Sequence, residues 1–152
     1  MKSFYLLILL FLTVSCLTKT TKKKDERYNQ YVENVKIKEF PKLKKGRYNV
    51  AFLIMDGTFN TELTAPFDIF QHTIYRKNIK AMNVFTVANT DKSVRTFEGL
   101  RILPDFNYLK DSLPNIDILV VPSAEHHLDT DLNDKAMIDF VKKVDKEATY
   151  IT

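Results

Sequence analysis

The sequence predicts a three-layer α/β domain with a mainly parallel sheet, and three observations carry that prediction. Val50-Ala51-Phe52-Leu53-Ile54-Met55 is apolar without interruption, as expected of a strand covered on both faces rather than one with a wet side. Ile116 to Val121, interrupted only by Asp117, is a second mainly apolar run, flanked by Pro114 and Pro122. Two further stretches carry apolar residues at helical spacing, so strands and helices alternate along the chain.

Strand one covers Tyr48 to Met55, and Asp56-Gly57 breaks it. Helix one follows over Thr61 to Tyr75, with Asn60 and Thr61 as N-cap residues and Leu63, Phe67, Phe70 and Ile74 along one face. Met82 to Ala88, β-branched and aromatic, is strand two and completes a βαβ unit. Val94 to Leu103 forms a hairpin around Glu98-Gly99, closed by Pro104. Tyr108 to Leu113 reads as a short helix ahead of Pro114, and Ile116 to Val121 is the third buried strand. Leu132, Ala136, Met137, Phe140, Val141 and Val144 mark an amphipathic helix, capped by Thr130 or Asp131 and ending over Lys142 to Glu147. Thr149 to Thr152 starts a further strand. Residues 46–152 thus read as a flavodoxin-like domain that is C-terminally truncated. Uncovered apolar faces on its central strands, and with them aggregation or a homodimer, are the expected consequence.

Ahead of this domain, Lys2 and the apolar run Phe4 to Leu12 form a secretory signal over residues 1–15, too short to span a bilayer. Leu12-Thr13-Val14-Ser15-Cys16 resembles a bacterial lipobox, with small Ser15 before the only cysteine of the chain. Thr13 stands where that pattern has leucine, so cleavage nearby without lipidation is the alternative. Cys16 is therefore the expected lipid attachment point, joining the protein to membrane lipid on the bacterial cell envelope, facing the periplasm or exterior. Residues 16–45 are polar and lysine-rich, with Lys22-Lys23-Lys24, Lys42, Lys44 and Lys45, and read as a basic tether. The formal charge of +4 comes partly from this tether and says little about the domain's ligand. Aromatic interleaving is limited to Tyr28 and Tyr31, so nucleic acid is not expected as a partner, and three glycines leave no phosphate-cradling loop.

Glu62 is the leading candidate for chemistry. It sits in the first turn of helix one, at the carboxyl edge of the strands, where open α/β sheets bind ligands. Pro66, four residues on, has no N–H to donate to the Glu62 carbonyl. The helix macrodipole favours an acid at this position for structural reasons alone, which is the competing reading. Asp68 falls on another face and reads as structural. After strand three, Ser123, Ala124, His126 and His127 occupy a loop at the same edge, and His126 is a candidate proton carrier. That loop lacks the cysteine or spaced carboxylate that would complete a metal set, so no metal or other cofactor is expected. His72, on helix one, reads as a surface residue.

Glu62-Leu63-Thr64-Ala65-Pro66-Phe67-Asp68-Ile69-Phe70 and Ile116-Asp117-Ile118-Leu119-Val120-Val121-Pro122 occur in the order found in the DJ-1/PfpI family, which the chain resembles from about Arg47 to Thr152. The resemblance implies that Glu62 is the acidic residue sharing a proton with a catalytic cysteine or with substrate. It also implies that Ser123-Ala124 stand where many relatives have two glycines whose N–H groups form part of an oxyanion site. Ala148 to Thr152 resembles the strand that leads into the family's nucleophile elbow, so this chain, with Cys16 far from the domain, is expected to be inactive as it stands. The complete protein is then expected to be a cysteine-dependent hydrolase, hydratase or glyoxalase-type enzyme acting on a small molecule. The alternatives are a non-catalytic small-molecule sensor module, towards which Ser123-Ala124 lean, and an inactive remnant.

Overall fold

The computed structural model of the protein describes residues 39–152. The expected signal sequence, Cys16 and all of the expected tether before residue 39 lie outside the described residues. Five parallel strands form the main sheet: β1 (Tyr48–Leu53), β2 (Met82–Ala88), β5 (Phe106–Asn107), β6 (Ile118–Val120) and β7 (Tyr150–Ile151). Their spatial order is β5-β2-β1-β6-β7. The hairpin strands β3 (Val94–Arg95) and β4 (Arg101–Ile102) pair antiparallel beside it. Helix α1 (Asn60–Gln71) continues as a 3-10 turn over His72–Tyr75, and helix α2 (Lys135–Glu147) follows a 3-10 turn over Asp131–Asn133. No helix among the described residues is long and apolar enough to cross a membrane.

The uninterrupted apolar run in β1 has a direct structural cause. Successive side chains of a strand point to opposite faces. Val50, Phe52 and Ile54 pack on one face with Leu63 of α1 and with Ala88, Val94 and Val120. Ala51 and Leu53 pack on the other with Phe85, Val87, Leu119 and with Phe140 and Val144 of α2. A helix on each face makes this the three-layer α/β, flavodoxin-like fold. Because both faces are covered, the central strands do not expose the apolar surface expected from the sequence. Exposure on the far edge belongs to Tyr150 and Ile151 of β7.

Several boundaries move, each for a local reason. The N-cap of α1 is Phe59, not Asn60 or Thr61. The N-cap of α2 is Asp134, whose carboxylate accepts the Met137 N–H, and not Thr130 or Asp131. Leu132 therefore lies outside the helix and is exposed. Residues 108–110 form a turn, with a bend at Asp111, where the sequence predicts a helix over 108–113, because neighbouring side chains satisfy the backbone first. The Asn107 side chain accepts the Leu109 N–H at 3.0 Å, and the Asp111 carboxylate accepts the Asn107 N–H at 2.6 Å.

Candidate ligand site at the carboxyl edge of the sheet

Strands β1 and β6 are neighbours, yet the chain leaves β1 towards β2 on one side and leaves β6 towards β7 on the other. The crevice outside their carboxyl ends is thus the topological switch point of the sheet, the usual place for a ligand in such folds. The segment following β1 is threaded between the hairpin and the loop after β6. On the hairpin side, the Gly57 N–H donates to the Arg95 carbonyl at 2.8 Å, the Phe97 N–H donates to the Thr58 carbonyl at 3.0 Å, and the Asp56 carboxylate accepts the Arg95 N–H at 2.7 Å. On the other side, the Glu125 N–H donates to the Gly57 carbonyl and the Phe59 N–H to the Ser123 carbonyl, both at 3.0 Å. Thr58, fully buried, bridges to Ala124 and closes its own turn by donating its hydroxyl to the Met55 carbonyl at 2.8 Å.

This framework sets Glu62 against Ser123. Glu62 Oε2 accepts the Ser123 N–H at 2.9 Å, a contact between residues 61 apart in sequence. Ser123, through its side chain and then its backbone, holds the Glu62 carboxyl below the usual glutamate range against opposition from desolvation, and the charge of His127 adds the smallest contribution. Glu62 is therefore an ionised acceptor at neutral pH. The amide expected to serve an oxyanion is engaged by this carboxylate.

The two histidines part company. His126 turns towards Asp129, at 3.5 Å, and Glu125, at 3.8 Å. It lines a separate cleft of about 210 Å³ with Met55, Asp56, Asn89, Tyr108 and Asp131, which Glu62 does not line. His127 is the histidine whose charge reaches Glu62, and its Nε2 lies 3.3 Å from Met55 Sδ and 3.8 Å from Asp131 Oδ2. The sequence offered no means of choosing between adjacent histidines, because the loop has no regular period. Thr58, which supports the site from beneath, gave no sequence signal either. Asp68 is exposed and pairs with His72 one turn on, at 3.3 Å. Among the described residues, no three His, Cys, Asp or Glu side chains converge as metal ligands.

A family model of DJ-1/PfpI matches residues 48–152. Similar solved structures include Drosophila melanogaster DJ-1beta, 14% identical with a TM-score of 0.56, where the match covers 69% of this chain and 53% of that one. A ThiJ/PfpI family protein from Pseudomonas syringae is 18% identical with a TM-score of 0.54, covering 74% and 47%. A two-domain protein from Anabaena variabilis, containing DJ-1/ThiJ/PfpI-like and ferritin-like domains, is 16% identical with a TM-score of 0.55, covering 69% and 28%. The chain spans about half the length of the first two. No curated protein matches the sequence.

Proposed function

The chain belongs to the DJ-1/PfpI family, and from that premise we propose that the crevice between β1 and β6 is a small-molecule site in which Glu62 is the fixed carboxylate of a cysteine-dependent hydrolase, hydratase or glyoxalase-type enzyme. The observation that carries this reading is the Glu62–Ser123 hydrogen bond across the switch point. It fixes a charged oxygen where substrate would enter, and an ionised carboxylate so placed accepts a proton from a thiol or substrate and returns it later. Residues 39–152 include no cysteine, so their contribution to such chemistry is the carboxylate and the frame that holds it. The test is the complete gene product assayed for methylglyoxal consumption, amide hydrolysis and isonitrile hydration, alone and as Glu62→Gln. A loss of about a hundredfold or more is expected for a positioned acid or base. Turnover that survives the substitution unchanged overturns the role given to Glu62.

A sensor module without catalysis is the second reading, and the engaged Ser123 amide favours it, since that donor is occupied before any oxyanion arrives. Saturable small-molecule binding with background rates in all three assays would support this reading over the first.

The domain is further proposed to be carried by an envelope lipoprotein anchored through Cys16. Support comes from Lys2, the apolar run Phe4 to Leu12 and the Ser15-Cys16 junction. Mass spectrometry of the membrane fraction should find a mature chain beginning at a di- or triacylated Cys16, and an unmodified Cys16 rules the anchor out.

A further inference from the structure

The amino edge of the sheet is rich in basic side chains. In a parallel sheet all strands begin at one edge, and the segments leading into β1 and β2 meet there. Residues 39–47 and 76–80 hold seven basic side chains, Lys42, Lys44, Lys45, Arg47, Arg76, Lys77 and Lys80, against one acid, Glu39. Side-chain bonds fasten the first segment to the start of β2 and close the loop that carries the second. Asn83, at the start of β2, accepts the Lys44 N–H and donates to the Lys44 carbonyl, each at 3.0 Å. Its amide also donates to Asn49 of β1 at 2.8 Å, and the Thr73 hydroxyl accepts the Met82 N–H at 3.0 Å. Lys80 Nζ stands 3.8 Å from the centre of the Tyr48 ring. Among these cations protrude Tyr75, 75% exposed, Ile79, 52% exposed, and Ile74, 43% exposed. At the opposite edge, the loops around Glu62 and Ser123 carry Asp56, Glu98, Glu125, Asp129, Asp131 and Asp134 alongside Arg95, His126 and His127.

We propose that this amino edge is a docking surface for an anionic phospholipid membrane, holding the site at the carboxyl edge away from the bilayer. Three features choose a lipid surface. Each lysine or arginine near an anionic leaflet is attracted by its surface potential. An aromatic ring and branched aliphatic chains amid such cations match the headgroup zone, where Tyr is enriched at membrane interfaces and apolar faces bury shallowly. Finally, the lysine-rich segment ahead of β1 enters the domain at this same edge, through Lys44. The inference extends the anchor reading but does not depend on it, because the surface lies wholly within residues 39–152.

The chain contains no tryptophan, so the full-length Tyr75→Trp variant, carrying Cys16→Ser to remove any lipid, reports on this edge alone. Its fluorescence should shift to the blue with phosphatidylglycerol vesicles and not with phosphatidylcholine vesicles, and the shift should fade as salt is raised. Adding Lys77→Gln and Lys80→Gln should weaken partitioning by roughly fivefold for each lysine removed. Lys92→Gln with Arg101→Gln, remote from the edge, should leave it unchanged. Leu128→Trp, at the carboxyl edge, should show no shift. An unshifted Tyr75→Trp signal, equal loss from both pairs of substitutions, or a response to duplex DNA but not to vesicles would overturn the proposal. An unlipidated Cys16 in the wild-type protein, with the blue shift intact in the variant, would remove the anchor and leave the docking surface standing.

Discussion

The Glu98 carboxylate, at the tip of the β3–β4 hairpin, accepts the backbone N–H of Asn60 at 3.0 Å and so satisfies a free donor at the start of α1. An acid placed there also meets the positive end of the helix. The hairpin is thereby fastened to the helix that carries Glu62. Glu98→Ala should lower stability by about 1 kcal/mol, the usual cost of a lost N-terminal cap. Glu98→Gln should recover part of that loss. Denaturant midpoints of the three proteins decide it, and identical midpoints would show that the contact contributes nothing.

Gly57 has a φ of 82°, and a Cβ built there would lie 3.0 Å from Glu125 Cβ and 3.3 Å from the Glu125 amide nitrogen. Gly46 has a similar φ of 79° with nothing within 4 Å. The pair separates backbone strain from crowding. Gly46→Ala should cost about 1–2 kcal/mol for the left-handed conformation alone. Gly57→Ala should cost about 3 kcal/mol, because the loop carrying Ser123 must also move. A chemical-shift change at the Ser123 amide should accompany the second substitution only.

On β2, the Thr86 N–H faces the side where β5 has not yet begun, and the Asp105 carboxylate takes the place of a strand. Asp105 Oδ2 accepts the Thr86 N–H at 2.7 Å and its hydroxyl at 2.9 Å, while the Asp105 N–H donates back to that hydroxyl. Thr86 is buried. Asp105→Ala leaves a buried donor unpaired and should destabilise the domain by about 1–3 kcal/mol. Hydrogen exchange at Thr86 should accelerate more than at Phe85, which keeps its ladder.

Long-range order was legible where apolar pattern and length agreed. β1, β2 and β6 stand where predominantly apolar, β-branched and aromatic runs placed them, and Glu98-Gly99 turns the hairpin as its flanking residues required. Short elements were not legible. Phe106-Asn107 is too brief to show any period, and it exists as a strand because Val87 and Ala88 offer it a ladder. Caps failed for a related reason. Asn60 and Thr61 have the right chemistry, but Glu98 supplies the acceptor from 38 residues away. The same holds for the site. The position of Glu62 at the strand edge followed from local sequence, whereas its contact with Ser123 and the separation of His126 from His127 arise from three loops bonded together.

Tyr108 stacks on Phe140 with ring centres 4.4 Å apart and planes 11° from parallel. Burial first, and the Asp134 charge second, push its hydroxyl up to about 12. A raised value in the folded state means that the unfolded chain loses this proton earlier. The contribution is therefore complete below the ordinary tyrosine range and disappears as pH climbs to about 12. Alkaline unfolding followed by circular dichroism should begin at higher pH in Tyr108→Phe than in the wild type. An unchanged onset would place the alkaline sensitivity on other residues.

Glu62 titrates with the opposite sign. Its carboxyl is lowered by Ser123 and by the charge of His127, so between the folded and unfolded values only the unfolded chain binds the proton. The stabilisation is fully present above the ordinary glutamate value and is lost as pH falls through the folded one. Asp129 and Asp139 are lowered as well, by Thr130 and Lys135 respectively, so acid sensitivity as a whole will outlast any single substitution. The informative quantity is the difference between wild type and Glu62→Gln, measured by denaturant titration from neutral to acid pH. That difference should be greatest at neutral pH and shrink below the glutamate range. The Ser123 amide gives a second reading, since its proton resonance should move upfield as Glu62 is protonated and the bond weakens. A Ser123 resonance that stays still through the titration, or a stability difference that does not vary with pH, would mean that the carboxylate is not held by this amide, and the proposed site would lose the contact on which it rests.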